Sequence, residues 1–81
     1  MTRENVFKKT QELFREIFND DTLVISDQTS ANNIGDWDSL NHINLISSIQ
    51  KEFEIKFELR ELEHLSNVGA IIDLIIKKTT S

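Results

Sequence analysis

The sequence predicts an all-α fold: a four-helix bundle with three main helices, one short third helix, and a long loop between the first and second helices. Three observations lead to this prediction. Apolar residues recur at spacings of three and four along most of the chain, as in helices with one buried face. The 81 residues include no proline and only two glycines, so little interrupts a helix. Alternating strand and helix patterns are not visible, and helices with mostly short connections pack as a bundle.

The first helix is predicted over residues 2–19, with Thr2 as its N-cap. Five apolar residues at helical spacing form its predicted buried face: Val6, Leu13, Phe14, Ile17 and Phe18. The connection over 20–38 follows, and its run Leu23-Val24-Ile25 is either an extended segment or a loop held against the core. A connection of this length in so small a domain tends to be functional.

Three further helices complete the prediction. The second covers 39–53, and its apolar residues step by three or four: Leu40, Ile43, Ile46, Ile49 and Phe53. The short third helix covers 57–64 and has three apolar contact residues, Leu59, Leu62 and Leu65. Ser66 is the predicted N-cap of the last helix, over 67–78, whose apolar stripe is Val68, Ile71, Ile72 and Ile75.

Size and composition exclude several function classes. One domain spanning residues 1–81 buries only about 60% of the surface that its unfolded chain exposes, which leaves little interior for a water-free active site. The formal net charge of -5 argues against a nucleic acid partner. Cysteine is absent, so disulfides and thiolate metal sites are excluded and any thiol chemistry needs a thiol from another molecule. The two histidines lack metal-ligand spacing, and no metal site is expected.

The chain also lacks the patterns of secretion and membrane insertion. Its first ten residues are polar and of mixed charge, unlike a signal peptide. No apolar stretch approaches the roughly 20 residues of a membrane span. We therefore expect a cytoplasmic protein without a membrane partner. A monomer is expected as well, because no apolar face is left unpaired beyond the last helix.

The junction between the long loop and the second helix combines features that suit a phosphate group. Ser39 begins the helix, where backbone N–H groups point outward and the helix dipole is positive. Gly35 is expected to give the preceding turn its backbone freedom. Two alternatives remain open here. In the first, Ser39 or Asp38 serves only as the N-cap of the helix. In the second, Ser39 and His42, one turn apart, form the nucleophile and base of a hydrolase, although nothing else in the sequence indicates an oxyanion hole.

The Asp38-Ser39-Leu40 motif, preceded by Ile34-Gly35, resembles the attachment site of acyl and peptidyl carrier proteins. The resemblance extends over nearly the whole chain, including the helix order and Leu65-Ser66-Asn67-Val68 at the last helix. It implies that a phosphopantetheinyl transferase moves 4'-phosphopantetheine from coenzyme A to Ser39. The arm then carries acyl or aminoacyl thioesters to loading and condensing enzymes, and the carrier itself performs no catalysis.

The same resemblance implies a partner-recognition surface along the second helix. Asp38 matches the aspartate that contributes to transferase recognition, and Leu40 matches an apolar contact residue. His42 and Ile43 belong to the same surface. Trp37 is either an exposed aromatic contact for partners or the arm, or a loop residue packed on the bundle.

This helix also departs from the family pattern. Carriers that serve general fatty acid synthesis typically have acidic residues along it, whereas residues 41–51 contain none and Lys51 is basic. A neutral helix argues for a private set of partner enzymes. Fatty acid, polyketide and other specialised pathways stay open, as does a carrier-fold interaction subunit without the arm. The isoleucines and leucines that would line a cargo cavity are also those that an ordinary core requires.

Overall fold

The computed structural model describes residues 2–80, so the predicted domain bounds at 1 and 81 lie outside the described residues. The helices are α1 (Arg3–Ile17), α2 (Ser39–Phe53), α3 (Leu59–Leu62) and α4 (Val68–Thr80). Within residues 2–80 there is no strand, only an isolated bridge between Ser30 and Asn67. The predicted all-α class and element order are confirmed.

Three helices end at residues other than those predicted: α1, α3 and α4, the last of which runs to Thr80 instead of residue 78. Helix α1 stops at Ile17, two residues early, because Phe18 leaves the helical conformation and Asn19 has a positive φ of 51°. Helix α3 is a single turn rather than the predicted 57–64, and a reciprocal pair of hydrogen bonds between Glu58 and Glu61 defines its start. The end of α1 and the start of α3 are therefore set by local backbone geometry that apolar spacing does not encode.

The beginning of α4 is also shifted by one residue. The side-chain oxygen of Asn67 accepts a hydrogen bond from the backbone N–H of Ala70 at 2.8 Å. This is the contact of an N-cap, which satisfies a donor that has no partner within the helix. The prediction of Ser66 as the cap was therefore wrong, and Ser66 is exposed.

The core lies between α1, α2 and α4, with the apolar stripe of α4 fully buried as predicted. The stripe of α2 is buried only in its later part. Leu40 and Ile43, which continue the predicted stripe and which the resemblance also assigned to the partner-recognition surface, are 68% and 62% exposed. Trp37 from the loop packs on Phe14 of α1 and is buried there. Leu59 is likewise exposed, at 82%, because the one-turn α3 turns only part of its surface to the bundle.

The long connection is a loop held against the helices rather than an extended strand. The guanidinium Nε of Arg15 donates to the carbonyl of Leu23 at 2.7 Å, and the amide oxygen of Gln11 accepts from the N–H of Ile25 at 3.0 Å. Ile25 is buried, in keeping with the prediction of a segment pinned to the core. These contacts fix the first part of the loop along α1.

The predicted role of Gly35 is wrong, and the glycine that the fold requires is Gly69. Gly35 was expected to provide a glycine-specific turn, but its φ is not positive and an added Cβ would meet nothing within 4 Å. Gly69 is buried at the start of α4, where its N–H donates to the carbonyl of Asp27 at 2.9 Å. A Cβ on Gly69 would lie 2.9 Å from that carbonyl oxygen. Close approach of the loop backbone, rather than turn geometry, explains the glycine.

Exchanging each glycine for alanine is expected to separate these roles. Gly69→Ala should lower the free energy of unfolding by about 1–3 kcal/mol, because the loop backbone must move away from the new methyl group. Gly35→Ala should be neutral or raise it by about 0.4–1 kcal/mol by restricting the unfolded chain. Urea unfolding of both variants checks this, and equal effects at the two positions would contradict it.

Candidate functional site

Ser39 occupies the first position of α2 with its side chain exposed. Asp38 provides the N-cap: its carboxylate accepts a hydrogen bond from the N–H of Asn41 at 2.9 Å. Of the two cap residues considered from the sequence, the structure therefore selects Asp38. Among the described residues, Ser39 Oγ makes no hydrogen bond, so the hydroxyl is free to react with a group from solution.

Trp37 fixes the end of the loop immediately before this site. Its indole is 6% exposed and meets the ring of Phe14 edge to face, with centroids 5.2 Å apart and 85° between the planes. It also contacts Phe18, at a centroid distance of 6.4 Å. The interpretation of Trp37 as an exposed aromatic contact is therefore wrong. It is a loop residue packed on the bundle, which is the other interpretation of Trp37.

Two side chains of α2 that follow Ser39 form hydrogen bonds with loop residues that precede it. The indole Nε1–H of Trp37 donates to Nδ1 of His42 at 3.0 Å. The amide Nδ2 of Asn41 donates to the backbone carbonyl of Asp36 at 2.7 Å. Burial lowers the pKa of His42 below the ordinary value for histidine. The turn that presents Ser39 is thus held in one geometry by contacts that leave its hydroxyl outside.

The arrangement does not support hydrolysis. His42 uses Nδ1 to bind Trp37, and no hydrogen bond joins His42 to Ser39 in the described part of the chain. Among the described residues, no imidazole is hydrogen-bonded both to Ser39 and to a carboxylate, which is the arrangement that activates a serine nucleophile. Within residues 2–80, no group of three or more potential ligands is placed to hold a metal ion.

A shallow, mostly apolar groove of about 610 Å³ opens beside Ser39. Its walls come from the loop, from the first two turns of α2 and from the residues before α4, including Trp37, His42, Ile43 and Leu65. The groove and the helix start together fit a phosphopantetheine group: the phosphate would lie at the positive end of α2, and the arm would lie along the apolar wall.

The outer face of α2 is exposed and carries no negative charge between Ser39 and Lys51. Leu40 and Ile43 are its apolar members, and Asn44, Ser47 and Lys51 are its polar members. At its end, Glu52 is paired with Lys9 of α1, at 3.1 Å between Nζ and a carboxylate oxygen. This face has apolar and uncharged hydrogen-bonding groups beside the serine, which suits docking of another protein.

The structure therefore brings most of the predicted site residues together. Trp37, Asp38, Ser39, His42 and Ile43 all line the groove. Leu40 lies outside it on the exposed face of α2.

Sequence reasoning did not assign Ala31, Leu65 and Ser66 to the site, although they also line the groove. Ala31 lies in the second half of the loop, and the other two lie just before α4. No local pattern marks them, because only packing of distant segments brings them to Ser39.

Comparison with known proteins identifies the family that has this arrangement. Residues 8–75 match the family model described as "Phosphopantetheine attachment site". The chain is 35% identical to an acyl carrier protein of Cyanidium caldarium over 81 aligned positions, covering 96% of this chain and 91% of the relative. It is 29% identical to an acyl carrier protein of Thermotoga maritima, covering 95% of each.

The fold has a counterpart among solved structures. The solution NMR structure of a holo acyl carrier protein from Geobacter metallireducens superposes with a TM-score of 0.87. The two sequences are 45% identical, and the match covers 93% of this chain and 86% of the other. In addition, none of the helices within residues 2–80 combines the length and apolar character needed to cross a membrane.

Proposed function

The chain belongs to the acyl carrier protein family, and on that premise we propose that Ser39 is the residue to which its 4'-phosphopantetheine is attached. Members of this family are carriers and not enzymes, and their prosthetic group is phosphopantetheine, as expected from the sequence. The observation that carries the proposal is the exposed, unbonded hydroxyl of Ser39 at the start of α2, beside an apolar groove. The carrier unit is proposed to be one monomeric domain over residues 1–81.

The attachment is a phosphoryl transfer in which Ser39 is the nucleophile. Its Oγ forms a bond to the phosphorus next to the pantetheine unit of coenzyme A, and the pyrophosphate P–O bond breaks. Adenosine 3',5'-bisphosphate leaves, and the hydroxyl proton passes to a base of the phosphopantetheinyl transferase, since this chain offers Ser39 no base of its own. When bound, the arm supplies the thiol on which an acyl or aminoacyl group is held as a thioester.

The residues around Ser39 have separate parts in this function. Asp38 caps α2 and fixes the direction in which Ser39 faces solvent. Leu40 and Ile43 offer exposed apolar contacts to the transferase and to loading and condensing enzymes. Association of partners through apolar contacts beside the reacting serine would place its hydroxyl in the transferase active site.

The neutral face of α2 supports a specialised pathway over general fatty acid synthesis. Charged faces steer association and exclude wrong partners. A helix face with no acidic side chain from Ser39 to Lys51 presents no opposite charge to a strongly basic docking site. We expect the modified protein to accept acyl groups poorly from loading enzymes that have basic docking faces. Acyl transfer measured by mass spectrometry checks this, and rapid loading by such enzymes would instead support fatty acid synthesis.

Intact mass spectrometry tests the proposed function directly. The protein is incubated with coenzyme A and a broad-specificity phosphopantetheinyl transferase, and we expect each chain to gain one phosphopantetheine group. Peptide mapping should locate the added mass at Ser39. No gain with several transferases would contradict the proposal and favour a carrier-fold interaction subunit that lacks the arm.

A further inference from the structure

Trp37 and His42 form a stacked, hydrogen-bonded pair that spans Ser39 in the sequence. Besides the 3.0 Å hydrogen bond, their rings stack with centroids 6.0 Å apart and 24° between the planes. Trp37 is itself held by Phe14 in the core. The imidazole of His42 is therefore fixed on one side by a buried residue, while the histidine also lines the groove that contains Ser39.

The hydrogen bond determines which nitrogen of His42 carries the proton. An indole N–H can only donate, so Nδ1 of His42 must be the accepting, unprotonated nitrogen of a neutral ring. The ring proton then lies on Nε2, which makes no hydrogen bond among the described residues. Burial lowers the pKa of His42 and so favours this neutral form. His42 consequently has one donor available, on the side of the ring away from Trp37.

Ser39 is a neighbour of His42 on the surface of α2. Residues three apart on a helix are surface neighbours, about 5–6 Å apart at Cβ, and Ser39 and His42 have this spacing on α2. A phosphodiester on Ser39 would bring anionic oxygens into the groove that both residues line. A hydrogen bond from a ring N–H to an anionic oxygen is charge-assisted and roughly twice as strong as one between neutral groups.

We propose that Nε2–H of His42 donates to a phosphodiester oxygen of the group on Ser39, so that Trp37 and His42 together direct the first bonds of the arm along the groove. This inference rests on the proposed attachment at Ser39. It gives His42 a role in holding the prosthetic group, instead of partner recognition or base catalysis. Trp37 acts through His42 and is a positioning residue.

The charged groups around His42 determine how strongly a phosphodiester on Ser39 would change its protonation. Asp38 is the charged residue of the groove, and Asp36 lies nearby in the loop. On α2 the nearest charged residue after His42 is Lys51, while Leu65 and Ser66, from the segment before α4, are uncharged. A single negative charge about 5 Å away in water-like surroundings favours imidazolium over imidazole by a factor of about 4. Modification of Ser39 should therefore raise the ratio of imidazolium to imidazole at His42 by about that factor.

Phosphorus NMR of the modified protein from about pH 5 to pH 8, the range in which histidine changes charge, tests the inference. A phosphodiester does not titrate in this range, so any step in its resonance reports a neighbouring group. We expect one step whose midpoint equals that of His42 in long-range ¹H–¹⁵N spectra. The same spectra should show the Nε2–H tautomer at high pH. At a fixed pH within the transition, the imidazolium-to-imidazole ratio of His42 should rise about fourfold from unmodified to modified protein.

Two variants and an internal reference separate the outcomes. In His42→Gln, the chains that mass spectrometry shows to carry the arm should keep their helical circular dichroism but lose the phosphorus step. Trp37→Phe keeps an aromatic ring in the core but removes the donor, so the step should persist while His42 becomes a mixture of tautomers. His64 is the internal reference, and its resonances in the same spectra should be unchanged by modification.

A flat phosphorus resonance, or a step that follows His64, would overturn the role of His42 even though mass spectrometry finds the arm on Ser39. Absence of the arm from Ser39 would overturn the proposed function and this inference together.

Discussion

Replacing Ser39 by alanine is expected to abolish phosphopantetheine attachment completely while leaving the fold intact. The hydroxyl oxygen is the atom that forms the new bond, and no neighbouring side chain replaces it. Asp38, not Ser39, caps α2, and Ser39 Oγ has no partner within the described residues. The change in the free energy of unfolding should therefore stay within about 0.5 kcal/mol, as for most surface substitutions.

Ser47→Ala is the matched control for this prediction. Ser47 is exposed on the same helix, two turns beyond Ser39, and its hydroxyl is not at the helix start. The Ser47 variant should gain one phosphopantetheine group by intact mass spectrometry, and the Ser39 variant should gain none. Attachment to the Ser39 variant, or its unfolding, would refute the assignment of Ser39 as an exposed attachment residue.

Ile46→Ala should have the opposite consequence, a large loss of stability at a residue without a chemical role. Ile46 is 6% exposed and belongs to the part of α2 that faces the core. Truncating a buried isoleucine removes its apolar burial and leaves a cavity, at a cost of about 2–5 kcal/mol. Small domains have about 5–15 kcal/mol in total, so the variant should unfold at much lower denaturant concentration.

Ile43→Ala provides the comparison, three residues earlier on the same helix. Ile43 is 62% exposed, so its truncation should change the free energy of unfolding by no more than about 0.5 kcal/mol. Urea unfolding followed by circular dichroism measures both variants. Equal losses at Ile43 and Ile46 would show that the first turns of α2 are packed in solution. The Ile43 variant should instead be weakened in binding to partner enzymes.

The sequence predicted the fold class because each main helix has a periodic apolar face. The stripe of α4 is buried as predicted. On the predicted face of α1, Val6, Phe14 and Phe18 are buried, and Leu13 and Ile17 are partly buried. Periodicity failed at the start of α2, where Leu40 and Ile43 continue the stripe but lie in solvent. Apolar spacing predicts which residues share a helix face, but it does not reveal that a loop residue covers the core at that point.

The residues of the candidate site also divide into those that the sequence predicted and those that it did not. Ser39, Asp38 and the start of α2 were predictable from a short motif after a long loop, because helix capping and the helix dipole act over neighbouring residues. The contact of Leu65 with the groove was not predictable, since it depends on how the chain returns after α3. The cap of α4 shows a smaller failure, because Ser66 and Asn67 are adjacent and both have suitable side chains.

Taken by itself, the sequence determined the helical class, the order of the helices and the serine at the start of α2. Those features depend on apolar spacing and on groups within one or two helical turns. Only the tertiary structure decided that Trp37 is a core residue bound to His42, that Leu40 and Ile43 face solvent, and that Gly69 lies against the backbone of Asp27. Each of these depends on contact between segments distant in the chain or on the path of the loop, and the packing of α1, α2 and α4 sets both.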